Sequence, residues 1–219
     1  MAPSLLQSFD FKLHERPAPD LLPSGIPAFD AVFGGVPRGA VTDIFGASST
    51  GRTSLLFSLI AEVTARGEFC ALVDASYAFD PSTAAASGVE LERMLWIRCG
   101  GDAERALQAT DLVLQAGGFG LVAMDLGDIA PETAWRISLA SWHRFRRVIE
   151  NTPAALVVVE RSPEARACSL LAIECARKSV KWTGAAGCSQ MLGGAEYRAE
   201  RRKPMRPAEA AFGARAMLR

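Results

Sequence analysis

Residues 46–54 read GASSTGRTS and stand between a strand-like run, residues 40–45 (AVTDIF), and a helix-like one, residues 55–65 (LLFSLIAEVTA). Two glycines five apart, then a cation and a hydroxyl residue, form the spacing of a phosphate-binding loop when they join a buried strand to a helix. There the glycines let backbone N–H groups curl around an anion at the helix N-terminus. Gly46, Ala47, Ser48, Ser49, Thr50, Gly51, Arg52, Thr53 and Ser54 are therefore the candidate nucleotide-binding residues, and Thr53 holds the hydroxyl position that ligates magnesium. One position departs from the pattern, because Arg52 stands where such loops carry lysine. Arginine keeps the charge, but its planar fork does not enter every gap that a compact ammonium enters. A plain joint of small residues reads similarly. An arginine in the first helical turn, however, opposes the macrodipole by about 0.3–1 kcal/mol unless an anion is bound, and this favours an anion site.

A nucleotide fold also needs an acidic group at the end of a second parallel strand, to hold magnesium or water near the phosphates. Asp125 ends the apolar run Leu121-Val122-Ala123-Met124 and is the candidate. The expected ligands are ATP and magnesium, with Thr53 and Asp125 as the metal residues.

Strand-like and helix-like segments alternate along the chain, the pattern of an α/β fold with a mostly parallel twisted sheet and helices on both faces. After the loop helix, strands are expected at residues 69–74, 94–99, 121–125 and 154–159. Helices are expected from Pro81, capped by Asp80 and stopped near Gly88, and over residues 103–115, ending at Gly117-Gly118. A long helix is expected over residues 132–150, with Trp135, Leu139, Trp142, Phe145 and Ile149 on one core-facing stripe. Beyond it the chain reads as short strands and glycine-rich turns.

With 219 residues, 49% of them hydrophobic, the chain suits one globular core, expected over residues 22–219 behind an N-terminal arm, residues 1–21. No apolar run approaches a membrane span and no basic start leads into a sustained apolar segment, so a cytoplasmic protein is expected. Five cysteines without a C-x-x-C pair, and only His14 and His143, signal neither a disulfide framework nor a zinc site. Net charge is zero but uneven: residues 1–160 hold 12 Lys and Arg against 19 Asp and Glu, and residues 161–219 hold 12 against 5. A basic surface for nucleic acid or an acidic partner and a solvated, self-neutralising surface both fit this asymmetry.

Residues 22–125 resemble the ATPase core of bacterial RecA recombinases. The likeness runs through Pro23-Ser24-Gly25-Ile26-Pro27-Ala28-Phe29-Asp30, Gly34-Gly35-Val36-Pro37-Arg38-Gly39 and the loop. It is most specific at Leu72-Val73-Asp74-Ala75-Ser76-Tyr77-Ala78-Phe79-Asp80-Pro81, where the recombinase pattern is close to F-I-D-A-E-H-A-L-D-P. It is looser beyond Asp125. There Arg201 and Lys203, within residues 200–207 (ERRKPMRP), match positions that reach a neighbouring subunit's nucleotide.

The resemblance also shows what has changed. The glutamate that orients the attacking water is matched by Ser76, and the glutamine that senses the terminal phosphate by Glu160. Serine is no general base unaided, and a carboxylate repels a triphosphate. With Arg52, three of the four positions that would run hydrolysis are altered. The segments matching the DNA-binding loops look shortened, although Arg161 and Arg166, with Arg201 and Lys203, could still contact DNA phosphates or another subunit. Two functions fit. One is a degenerate accessory scaffold similar to the ImuA group, which accompanies error-prone translesion polymerases in the SOS response, with a RecA-like or polymerase-type partner. The other is a short DNA-dependent ATPase of homologous recombination.

Overall fold

The computed structural model describes residues 19–184 and 190–215, apart from the side chains of Pro131 and Arg166. Its elements in chain order are β1 (Leu21–Leu22), α1 (Pro27–Phe33), β2 (Val36–Pro37), β3 (Val41–Phe45), α2 (Arg52–Ala65), β4 (Cys70–Asp74), α3 (Pro81–Ala86) and β5 (Met94–Arg98). There follow α4 (Ala103–Ala116), β6 (Leu121–Asp125), α5 (Pro131–Ala134), α6 (Leu139–Ile149), β7 (Ala155–Glu160), β8 (Leu171–Thr183), β9 (Met191–Lys203) and β10 (Glu209–Arg215).

Eight strands form one sheet in the order β10-β9-β8-β3-β7-β6-β4-β5, and β1 pairs with β2 apart from it. The run from β8 to β5 is parallel, while β9 and β10 join antiparallel at one side. Strands buried on both faces need apolar residues at every position rather than alternation. Accordingly β3, β4 and β7 are buried throughout. One face packs Ile44, Leu72, Ala123, Val157 and Val159 against Leu55, Leu56, Leu59, Ile60 and Val63 of α2. The other packs Val41, Val73, Val122, Leu156 and Val158 against α4 and α6 through Ala106, Val113, Trp142, Phe145 and Ile149. Each such large apolar side chain contributes about 1.5–3 kcal/mol on burial, so α2 is held to the sheet along its length. The α/β fold with helices on both faces is the one expected. Among the described residues, no helix is long and apolar enough to cross a membrane.

Two expectations need correction. The single helix over residues 132–150 is two helices, because Ser138 takes an extended conformation (ψ 144°) and caps α6, its Oγ accepting from Ser141 N at 3.2 Å. The break rotates the front of the stripe outward: Trp142, Phe145 and Ile149 are buried, but Trp135 and Leu139 are 64% and 53% exposed. The C-terminal strands are not short either, since β8 and β9 each run 13 residues and pair along most of their length. Their cations are partly neutralised within the sheet, where Arg202 meets Glu174 at 2.7 Å and Glu200 at 2.6 Å, and Lys181 meets Glu196 at 2.7 Å.

Candidate nucleotide-binding site

The GASSTGRTS loop leaves the C-terminal end of β3 and enters α2 at the centre of the sheet, between the parallel neighbours β8 and β7, and folds of this kind bind ligands in a crevice at the carboxyl ends of their strands. Both glycines are required sterically. A Cβ on Gly46 (φ +151°) would collide with the Cys175 carbonyl, and one on Gly51 (φ +90°) would lie 2.5 Å from Cγ of Tyr197. Ser49 also adopts positive φ (60°), and Thr50 Oγ1 donates to Ala47 O at 2.7 Å, which closes the loop on itself. Ala47, Ser48, Ser49 and Thr53 are exposed, whereas Gly46, Thr50, Gly51 and Arg52 are buried.

Arg52 does not extend into the loop's mouth. Its Nη1 donates 2.6 Å to the Glu160 carbonyl, the same oxygen that accepts from Gly46 N at 3.3 Å. The side chain is buried, and a Cβ on Gly127 would lie 3.1 Å from its Nη1 and 2.9 Å from Oδ1 of Asp125. Burial lowers the pKa of the guanidinium, while Asp125 and Asp128 oppose the shift. Arg52 thus ties the loop to β7 and sets a positive charge beside Asp125.

Asp125 ends β6 as expected, opposite Asp74 on β4. Its Oδ1 accepts from Gly127 N at 2.8 Å. Burial foremost pushes its pKa up to about 6, with Asp74 and Asp128 adding to the rise and the Gly127 bond and Arg52 opposing it. Thr53 and Asp125 offer the hard oxygen donors that magnesium takes, one from α2 and one from β6, and these residues would hold it.

Ser76 follows β4 in a turn built by Asp74, whose carboxylate accepts from Ala78 N and Phe79 N at 3.1 Å each and from Trp96 Nε1 at 3.2 Å. The Ser76 Oγ is buried without a hydrogen-bond partner among the described residues, so nothing nearby activates it as a base.

Glu160 ends β7, but its carboxyl turns away from the loop. Val159 packs on the α2 face, so by alternation Glu160 lies on the opposite face, with Asp43 two register positions behind it. Oε1 accepts from Ala165 N at 2.8 Å, and the Asp43 carboxyl is close enough to act on Glu160 electrostatically. Both residues are essentially inaccessible to solvent. Burial raises Glu160 to about 7, against the Ala165 bond and the influence of Asp43, which lower it. At the nucleotide crevice the chain therefore presents the Glu160 carbonyl, already shared by Gly46 and Arg52.

Residues 13–135 match the RecA N-terminal domain family, and with it most of the elements that build this crevice. The chain belongs to that family. Among its relatives is the RecA protein of Rickettsia canadensis (strain McKiel), 37% identical over 118 residues, which are 52% of this chain and 34% of that protein. The RecA protein of Borrelia hermsii (strain HS1 / DAH) is 40% identical over 92 residues, 42% of this chain and 26% of that protein. That of Chloroflexus aurantiacus (strain ATCC 29364 / DSM 637 / Y-400-fl) is 37% identical over 112 residues, 50% and 32% of the two chains. The chain thus spans about a third, or less, of the length of these RecA relatives.

The basic residues of this RecA-family chain are dispersed. Arg201 lies over the Phe33 ring, 5.1 Å from its centroid, and its Nη2 donates to Val32 O at 3.3 Å. Lys203 Nζ donates to Ala167 O at 3.2 Å. Arg166 falls in a short 3-10 turn, its side chain outside the described residues. Of the three whose side chains are described, Arg161 alone is hydrogen-bonded to the loop, with Nη2 donating to Ser48 Oγ at 3.0 Å and Nε to Gly127 O at 3.2 Å. Neither Tyr197, whose ring lies against Gly51, nor Asp43, which acts on Glu160, is among the site residues expected from sequence. An acidic residue inside the apolar run AVTDIF was the available signal for Asp43. Tyr197 carried no local signal.

Proposed function

We propose that this chain is a RecA-family protein of DNA recombination and repair that binds ATP but has lost ordinary turnover. It serves as an accessory scaffold of the ImuA kind, coupling a RecA-like or DinB-type polymerase partner to single-stranded DNA during SOS translesion synthesis. The observation that carries the reading is the 2.6 Å bond from Arg52 Nη1 to the Glu160 carbonyl. The loop cation that would stabilise charge on a transferring phosphoryl group is held inside the protein. Ser76 and Glu160 support the same reading, because neither supplies a base or a phosphate sensor to the crevice. The fold-forming glycines and Asp125 are kept, which favours retained binding over retained chemistry.

Partner binding tests the scaffold role. The chain is mixed with the recombinase and the error-prone polymerase of its own organism and passed over analytical size exclusion with and without a single-stranded oligonucleotide. Co-elution with either protein is expected. Elution as a lone species with both, at micromolar concentrations, would contradict it.

A further inference from the structure

Arg161, unlike the buried Arg52, reaches the exposed part of the loop. It follows Glu160 at the end of β7 and bridges Ser48, the third residue of the loop, to Gly127 beyond β6, across sequence separations of 113 and 34 residues. Both acceptors are neutral. Among the described residues, no carboxylate lies within ion-pair distance of Arg161, in contrast to Arg38, Arg144, Arg198 and Arg202. An exposed guanidinium is thereby held at the mouth of a loop whose backbone N–H groups already favour an anion, without an ion-pair partner among the described residues and with further N–H donors to offer. Arg52 is close enough for the two like charges to act on one another, Arg161 helping to lower the Arg52 pKa. A bound polyanion relieves that repulsion.

The geometry points to Arg161 as the residue that grips the phosphate chain of a nucleoside triphosphate here, in place of the loop lysine, with Arg52 acting only as an internal strut. This rests on the reading that residues 46–54 bind a nucleotide. It deepens that reading by moving the phosphate-binding cation from α2 to the end of β7. The arginine fork suits bidentate contact with phosphate oxygens, and Ser48 holds it in place.

The test is calorimetric titration of the whole chain with ATP and magnesium, and in parallel with a single-stranded oligothymidylate, for the wild type, Arg161→Ala, Arg161→Lys and Ser48→Ala. Thermal melts establish that each variant is folded. Arg161→Ala should weaken ATP binding about tenfold or more, as loss of a charge-assisted pair does. Arg161→Lys should recover part of it, Ser48→Ala should weaken it severalfold, and oligothymidylate binding should be unchanged. If Arg161→Ala binds ATP as the wild type does, or loses only the oligothymidylate, Arg161 is not the phosphate cation. If the wild type itself binds no ATP, the nucleotide reading of the loop falls, and the role of Arg161 with it.

Discussion

Arg52 and the backbone carbonyl of Glu160, 108 residues apart in sequence, are joined by a 2.6 Å hydrogen bond inside the protein. The bond turns a loop residue into a brace between α2 and β7, and it sets Arg52 beside Asp125. Arg52→Ala leaves that carbonyl with Gly46 N alone and removes the positive charge nearest Asp125. It should cost about 2–4 kcal/mol of stability, read from urea unfolding. Arg52→Lys keeps the charge without the fork and should cost less. A loss below about 0.5 kcal/mol for Arg52→Ala, the range of an ordinary surface change, would mean that the brace carries no strain of the fold.

Glu160 makes stability depend on pH. Glu160 is held at about 7 against an ordinary value of 4.5, so the folded state takes up its proton more readily than the unfolded chain does. Its contribution is fully present below about pH 4.5 and is lost as pH rises through 7. Glu160→Gln keeps the shape and carries no charge, so it should raise stability at pH 8 by about 1–3 kcal/mol. It should also flatten the dependence of Tm on pH between 5 and 8. An unaltered slope would remove Glu160 as its source.

Gly51 is constrained twice, by φ +90° and by the Tyr197 ring 2.5 Å from where a Cβ would stand. Gly51→Ala should cost about 2–4 kcal/mol, combining backbone strain with the clash. In a Tyr197→Ala background the clash disappears and only the strain, about 1–2 kcal/mol, should remain. Equal losses in the two backgrounds would place Tyr197 away from the loop.

Trp135 and Trp142 are seven residues apart, yet the break at Ser138 separates their environments, with 64% exposure for one and 2% for the other. Trp142→Ala should cost about 3–5 kcal/mol, and Trp135→Ala no more than about 0.5 kcal/mol. In a Trp182→Phe background, which removes the other exposed tryptophan, acrylamide should quench Trp135 more strongly than Trp142. Comparable losses at both positions would restore the continuous helix.

The strands around the crevice were legible because each is a short apolar run bounded by glycine, proline or acidic residues. Leu121 to Asp125 is the plainest case, ending on the aspartate that the site needs. The two helices over residues 131–149 were not separable by periodicity, since Trp135 and Leu139 continue the spacing of Trp142 and Phe145. Only the Ser138 cap, a three-residue signal, breaks it. The length of β8 and β9 was hidden by glycines and charges, which interrupt the pattern of a strand exposed on one side. The loop itself was read from spacing alone, but the direction of Arg52 was not. It depends on a carbonyl from β7, and no local rule places one beside the other. Arg161 was visible as a cation, and its approach to Ser48 depends on β7 lying next to β3.

The central claim is binding without turnover, and phosphate release from ATP with magnesium and single-stranded DNA measures it most directly. The wild type should release no more phosphate than a no-enzyme control, while ATP titration under the same conditions shows saturation. Ser76→Glu with Arg52→Lys, which restores a carboxylate base and a loop ammonium, should give detectable hydrolysis that Asp125→Ala abolishes. DNA-stimulated hydrolysis by the wild type at about 0.1 per second or faster, within a factor of a hundred of a common enzyme turnover, would contradict the account.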